Sequence, residues 1–406
     1  MEKNEIINDK IKELVKNKLE EYRDWMITAR RHLHMYPEVG DNEFKTTEYI
    51  EALLNEMGIK TQRLLPTGLV GVLDAPAGAS GGKCIAIRAD IDALPMPEET
   101  GLEFCSRNEG VMHACGHDMH MAALLCTAKI FSDPDVRKLL TAPVKFIFQP
   151  AEETDGGADR MIKAGCLESP HVDHVLGYHV DPELIAGTIG TKHGYTHASS
   201  DMFDITVRGV KSHGAYPDEG VDAIVAASQI VTAVQSIVSR NIGAVDSCVI
   251  TIGKFHAGTA GNIICDLAEL TSTMRTTSAQ TRERAMKRLE KVATGVAAAM
   301  GASAEVNFRP GYIAQHNDDA VVDALNAVAA EVIGGENIIT KEHPSMGVED
   351  FAFYAAERPS AFFFVGTGYE GRKNYGIHHG KFEANESALD VAVQLEVLTA
   401  LKLMNE

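Results

Sequence analysis

Apolar runs of strand length alternate with helical periodicity over the first half of this chain, and that order narrows the possible folds more than any other feature. Residues 68–74, 83–92, 142–149 and 174–180 read as strands bounded by turn residues. Helical patterns lie between and before them, at 46–57, after residue 118 and at 158–164. A long amphipathic helix at 6–33 comes first, with Ile11, Leu14, Val15, Leu19, Tyr22, Trp25, Met26 and Ala29 recurring at three and four residues, and it must end before Pro37. Strand then helix, repeated, is the order of a mainly parallel sheet flanked by helices. From about residue 198 the order changes to strand 201–209, helix 221–240, strands 247–256 and 265–276, helix 281–300 and strand 304–309. That β-α-β-β-α-β order predicts a ferredoxin-like α+β domain. The α/β style resumes with helix 318–333, segment 345–353, strand 360–366 and helix 387–404. The expectation is an α/β domain built from residues 1–197 and 310–406, interrupted by an inserted domain at 198–309.

The chemistry concentrates at residues 111–120, V-M-H-A-C-G-H-D-M-H. His113, Cys115, His117 and His120 fall within eight residues, with Asp118 among them. Thiolate and imidazole are the usual ligands of zinc and similar divalent metals. Gly116 permits a sharp turn, so Cys115 and His117 can address one centre. The positive end of the following helix is expected to favour the Cys115 thiolate. One Cys and one His in a turn would ordinarily be core, but the density here argues for metal.

Carboxylates arrive at the ends of buried strands, where ligands gather in open α/β sheets. The run C-I-A-I-R-A-D-I-D ends in Asp90 and Asp92, which on a strand face the same side. The strand at 142–149 leads straight into Pro150-Ala151-Glu152-Glu153. On extended chain those two glutamates would point to opposite sides, one towards a metal and one towards the substrate. Such a pair can divide metal holding from proton transfer. Asp155-Gly156-Gly157 then turns the chain into the helix at 158–164. His179 lies near the end of the strand at 174–180, and His378-His379 occupy a glycine-flanked loop. His32 and His34 read as surface or capping histidines in the last turn of the first helix.

A formal net charge of −19 argues against nucleic acid or an anionic membrane as partner. Seven cysteines without framework spacing read as reduced thiols. No secretory signal is visible at residues 1–12, and no apolar run approaches bilayer-spanning length. The expected location is the cytoplasm.

Taken in order, these segments resemble the aminoacylase/carboxypeptidase family of dinuclear-metal hydrolases, peptidase family M20, in its amidohydrolase branch. That branch includes N-acyl-amino-acid amidohydrolases, hippurate hydrolases and auxin-conjugate hydrolases. The likeness rests on R-R-H-L-H-M-Y-P-E (30–38), R-A-D-I-D-A-L-P (88–95), H-A-C-G-H-D-M-H (113–120), F-Q-P-A-E-E (148–153), S-H-G-A-Y-P (212–217), M-G-V-E-D-F (346–351) and H-H-G-K-F (378–382). The resemblance implies two divalent ions per subunit (Mn, Zn, Co or Ni) held by Cys115, His117, Glu153, His179 and His378. His378 is preferred to His379 because its spacing to Phe382 and Glu386 matches the family pattern. Glu152 would be the general base. Asp90 and Asp92 would support rather than ligate. The inserted domain would act as a lid and dimerisation element, making a homodimer or dimer-based oligomer. There His213 would stabilise the oxyanion, and Asn262 and Arg275 would hold the substrate carboxylate, for which a guanidinium fork is suited. Three features depart from the branch: Cys265 stands where Pro is usual, Asp218 where a second His is usual, and residues 191–197 differ.

The implied reaction is metal-assisted hydrolysis of an N-acyl amino acid (N-acetyl, N-benzoyl or similar) to a carboxylic acid and a free amino acid. Alternatives are a dipeptidase or exopeptidase, an N-acetyldiaminopimelate deacetylase, and an inactive metal-binding scaffold. The intact Glu152–Glu153 pair argues against the last.

Overall fold

Two six-residue strands, β3 (Ile85–Asp90) and β4 (Val144–Gln149), have every residue buried, as central strands covered on both faces do. They occupy the middle of an eight-stranded sheet in this computed structural model, which describes residues 7–154 and 156–406. The other strands are β1 (Lys60–Gln62), β2 (Leu69–Leu73), β5 (His174–Ile185), β6 (Ile189–Thr191), β13 (Ile338–Thr340) and β14 (Ser360–Gly368). Their order is β1-β2-β4-β3-β5-β14-β6-β13. The central ladders β4–β3, β3–β5 and β5–β14 are parallel, as is β6–β13. β1–β2, β2–β4 and β14–β6 are antiparallel. The expected mainly parallel sheet is thus a mixed one: parallel at its centre, antiparallel at the β1-β2-β4 flank and at β14–β6, and parallel again at the β6–β13 edge.

Helix α1 (Asp9–Met35) begins where Asn8 accepts the Ile11 N–H at 3.1 Å, a side-chain N-cap. The expected start at Ile6 lies outside the described residues, as does Asp155 of the expected turn. Val15, Leu19, Met26, Ala29 and Leu33 form its buried stripe. α1 packs with α3 (His117–Ser132), and the C-terminal helix α8 (Ala388–Met404) packs on both and on α7 (Asp319–Ile333). α3 and α8 are buried nearly all round, so they are core helices rather than amphipathic covers. Helix α2 (Phe44–Glu56) follows α1, and the short α4 (Gly157–Lys163) follows β4.

The chain divides into two compact units, one of residues 1–194, 316–342 and 353–406, the other of 195–315 and 343–352. In the second, β7 (Ser199–Arg208), β9 (Cys248–Ala257), β11 (Leu267–Thr276) and β12 (Ser303–Pro310) form an antiparallel sheet in the order β9-β11-β7-β12. Helices α5 (Ala223–Arg240) and α6 (Ala279–Ala299) pack against it. The short strands β8 (Ser212–His213) and β10 (Ile263–Ile264) pair as a separate ribbon. Residues 343–352, assigned from sequence to the α/β domain, fall in this second unit. Backbone bonds tie them there: Ser345 N–H to Thr196 O at 2.8 Å and Ala198 N–H to Ser345 O at 3.0 Å. The expectation about apolar runs needs correcting too. α5 is long and apolar enough to cross a membrane by length and composition. It uses that surface inside its unit, burying Ala223, Ala226, Ala227, Ile230, Val234 and Ile237.

Candidate metal centre

Gly116 sets the entry to the site. Its φ is +86°, and a Cβ there would lie 2.4 Å from Val180 Cγ2, so only glycine fits. The turn it allows places Cys115 in the loop and His117 as the first residue of α3. His179 comes from β5 and Glu152 and Glu153 from the turn after β4. His378 comes from the loop before α8 and has φ +61°. Its backbone N–H donates to Ala114 O at 2.8 Å, which fastens that loop to the Cys115 stretch.

All five side chains expected as ligands converge, in overlapping groups. The donor atoms of Cys115, His117 and His179 lie within 4.8 Å of one another, as do those of Cys115, Glu153 and His378, and those of His117, Glu152 and Glu153. His179 Nε2 and His378 Nε2 each stand 3.2 Å from Cys115 Sγ. His378 Nε2 is 3.0 Å from a Glu153 oxygen. Donors sharing one tetrahedral ion lie roughly 3.5 Å apart, given bond lengths of about 2.0–2.3 Å. Three groups chained through Cys115, Glu153 and His117 offer more donors than one tetrahedral ion takes, which matches a pair of ions.

The orientation of the imidazoles fits too. His117 Nδ1 stands 2.8 Å from Asp92 O, and His179 Nδ1 stands 2.7 Å from Val180 O. A proton on each Nδ1 leaves each Nε2 lone pair directed at the cluster, as metal-bound histidines require. His117 Nε2 is buried and has no hydrogen-bond partner. Asp90 is bonded on both oxygens. One oxygen pairs with Arg88 at 2.7 Å and the other with His120 Nδ1 at 2.6 Å. His120 Nε2 accepts the Val180 N–H at 3.0 Å, so both its nitrogens are engaged. Asp92 accepts the Glu153 N–H at 2.9 Å.

The electrostatics favour positive charge. Burial opposes ionising His117, but Asp90 and Asp92 overcome it and raise its pKa to about 10. Burial would lift Asp90, yet His117, His120 and Arg88 hold it well below the usual carboxylate range. Burial, then the charges of Glu153 and Glu152, push the Cys115 thiol well above its usual value. That corrects the expected thiolate: near the helix end, burial and the acid pair win. A divalent cation reverses the order, since coordinating thiols ionise.

A second correction concerns Glu152 and Glu153. They do not alternate along extended chain. Ala151 has φ +55°, and residues 152–154 form a turn, which brings both carboxylates to His117 rather than to opposite sides.

In the second unit, His213 is exposed on β8, and Asn262 directly precedes β10, whose Ile263 pairs with His213. Arg275 lies on β11 and donates to Thr273 Oγ1 at 2.6 Å. Its buried neighbours Met274 and Thr276 point the other way. Cys265 is buried with Sγ 3.0 Å from Leu267 O, and Asp218 is exposed in a 3-10 turn.

Sequence reasoning missed the charged layer beside Cys115 and His117. His34, expected at the surface or as a cap, is buried with Nδ1 2.8 Å from Asp118 and Nε2 3.2 Å from Glu98. Burial works against its charge, but Asp118 outweighs it and His34 is held above its usual range. Arg30 Nε is 2.9 Å from the same Asp118 oxygen. The available signal was the four-residue spacing of Arg30 and His34, which puts both on one face of α1. His113, counted with the metal-type residues, is fully buried, and burial drops its pKa to about 3. His32 stacks on Tyr49 at 4.1 Å.

Residues 86–402 match peptidase family M20/M25/M40. The chain is 40% identical over 369 residues to an N-acetylcysteine deacetylase of Bacillus subtilis, covering 91% of this chain and 94% of that protein. It is 38% identical over 377 residues to an N-acetyldiaminopimelate deacetylase of Bacillus cytotoxicus, covering 91% and 95%. A crystal structure from Bacillus subtilis, described as a dinuclear metal-binding peptidase of the M20 family, superposes with a TM-score of 0.83 at 36% identity, covering 95% of this chain and 99% of the other.

Proposed function

The chain belongs to peptidase family M20/M25/M40, and from that premise we propose that it hydrolyses the amide bond of N-acyl amino acids, releasing a carboxylic acid and a free amino acid. It is a metal-dependent amidohydrolase that uses two divalent ions. The observation that carries the reading is the convergence of Cys115, His117, Glu153, His179 and His378 beside a second carboxylate, Glu152.

Cys115, His117, Glu153, His179 and His378 would hold the ions, which supply Lewis acidity and bring the pKa of a water towards neutrality. Glu152 would act as the general base, holding the proton of the attacking water and delivering it to the leaving amine. It is 7% exposed, so its surroundings hold little bulk water to compete for the proton. His213 is assigned as oxyanion donor, a role worth about 3 kcal/mol per donor. Asn262 and Arg275 are assigned to the substrate carboxylate. Asp90 and Asp92 position ligands.

The second unit is assigned as lid and dimerisation element. β9 is an edge strand of ten residues. Val249 and Phe255 are exposed on it, as are Ile224 and Val225 on α5. A long apolar edge of this kind invites pairing with another chain, and a homodimer through it is the assembly proposed. The seven cysteines are all unpaired, which suits a reducing compartment and supports the cytoplasm as location.

A second reading has its own support. Likeness to N-acetyldiaminopimelate deacetylase favours an acylated diamino acid as substrate. Hydrolysis of N-acetylcysteine, N-benzoylglycine, N-acetyldiaminopimelate and free dipeptides, each assayed with Mn, Zn, Co and Ni, separates these. Turnover of dipeptides alone, or of nothing in the panel, would reject the N-acyl amino acid reading.

A further inference from the structure

The turn carrying Glu152 and Glu153 is braced by a residue to which no role has been assigned. Glu43 is fully buried at the N-terminal end of α2. Its Oε1 accepts the Ala151 N–H at 2.9 Å. Ala151 is one of four non-glycine residues with positive φ among those described. Alanine does not hold that conformation freely; left-handed backbone costs it roughly 1–2 kcal/mol. Something around it must over-determine the geometry.

Several contacts around the turn do so. The Glu43 carbonyl accepts the Thr47 N–H at 2.9 Å, and Thr47 Oγ1 accepts the Gly68 N–H at 2.8 Å. A Cβ on Gly68 would lie 2.5 Å from Pro150 Cδ, and one on Gly157 would lie 1.8 Å from Pro150 O. Gly40 packs so close that a Cβ there would come within 3.2 Å of Ala151 Cα. The Ala151 carbonyl accepts the Gly156 N–H at 3.2 Å and the Gly157 N–H at 3.3 Å. These neighbours confine the turn sterically. Glu43 supplies the directed bond that fixes the Ala151 peptide, and the next two side chains are the glutamates.

We propose that Glu43 is a positioning residue: by accepting the Ala151 N–H it holds that residue left-handed and so aims the Glu152 and Glu153 carboxylates at one centre. It is not among the clustered donor residues. The inference rests on the reading of Glu152 as base. A neutral acceptor should serve as well, because the bond needs an oxygen lone pair and not a charge. Burial pushing the Glu43 carboxyl up to about 7 is in keeping with that.

The test uses Glu43→Ala, Glu43→Gln, Ala151→Gly and the double variant Glu43→Ala/Ala151→Gly, in the full chain loaded with manganese. Initial rates are measured with N-acetylcysteine, metal content by elemental analysis, and the Ala151 φ by crystallography. Glu43→Ala should lower kcat ~10-fold or more with KM within about threefold, since a 1 Å misplacement of a catalytic group costs on the order of 10²-fold. Glu43→Gln should restore most of the rate. The double variant should recover part of it, because glycine adopts the left-handed turn without help. Glu43→Ala with unchanged kcat and unchanged φ at residue 151 overturns the proposal. So does a Glu43→Gln as impaired as the alanine variant. If Glu43→Ala does not fold, Glu43→Gln and Ala151→Gly decide: a crystal structure of Glu43→Gln with Ala151 out of the left-handed region overturns the role. If Glu152→Gln keeps wild-type turnover, the base assignment fails instead. If wild type does not hydrolyse N-acetylcysteine, the function assigned fails, and the φ at Ala151 alone decides on Glu43.

Discussion

Asp92 joins two neighbours at the centre: one carboxylate oxygen accepts the Glu153 N–H at 2.9 Å, and the other stands 3.3 Å from His117 Nδ1. Asp92 thereby serves both: its main-chain oxygen takes the His117 Nδ1 bond at 2.8 Å, while its side chain holds the Glu153 backbone and sets its other oxygen beside the imidazole. Asp92→Ala is therefore expected to weaken divalent binding by about 10–100-fold, the usual effect of removing such a partner. Competition against a chromogenic chelator measures it. Unchanged affinity would separate Asp92 from the ligands it contacts.

Glu152→Gln should retain fold and metal yet lose turnover by about 10²–10⁴-fold, the range for a positioned general base. Initial rates on an N-acyl amino acid, with metal content measured in parallel, test this. Near-normal rates would assign the proton transfer elsewhere.

Stability should fall with rising pH because of Glu396. This carboxyl on α8 is wholly buried, and burial raises its pKa from 4.5 to about 8 although Thr127 donates to it at 2.5 Å. The unfolded chain ionises Glu396 above pH 4.5 while the folded chain keeps it neutral. Its contribution is thus complete below pH 4.5 and is lost as pH rises towards 8. Glu396→Gln should flatten this dependence by up to about 1.4 kcal/mol per pH unit. Thermal unfolding of both proteins at pH 6 and pH 8 measures it; parallel shifts in the two would refute it.

Lys145 is buried in β4 and donates to the carbonyls of Cys166, Glu168 and Pro170 at 2.9, 2.8 and 3.0 Å. Lys145→Met keeps much of the volume but strips three acceptors of their donor. A loss of about 3 kcal/mol or more is expected, read as a lower urea midpoint. A midpoint equal to wild type would show that water replaces the ammonium.

Phe255→Glu, placing charge on the exposed edge strand β9, should shift the protein towards monomer in sedimentation velocity. A variant that stays as associated as wild type would place the interface elsewhere.

Much of this was open to a reader of the chain alone. The ligand types are local chemistry: a thiol and an imidazole two residues apart around a glycine, two glutamates after a buried strand, a histidine in a loop, and a histidine on a strand that runs on to Ile185 rather than ending at 180. The β/α alternation and its interruption are equally local, because buried strands and amphipathic helices carry distinct periods. The glutamate pair was found for a partly wrong reason, since alternation along extended chain cannot reveal a left-handed Ala151. The mixed character of the sheet was also hidden, because an apolar run does not state which way its neighbour points.

Sequence by itself determined which side chains were available and on which kind of element each would sit, since covalent order and residue type settle those. Only the tertiary structure decided which of them meet: His34 against Asp118, Asp92 between His117 and Glu153, and Glu43 beneath Ala151. Those contacts join residues 61 to 108 positions apart in the chain or sit on separate elements, and close packing selects them. A buried carboxylate keeps its place only where the fold brings it a donor, and no local pattern records where that donor comes from.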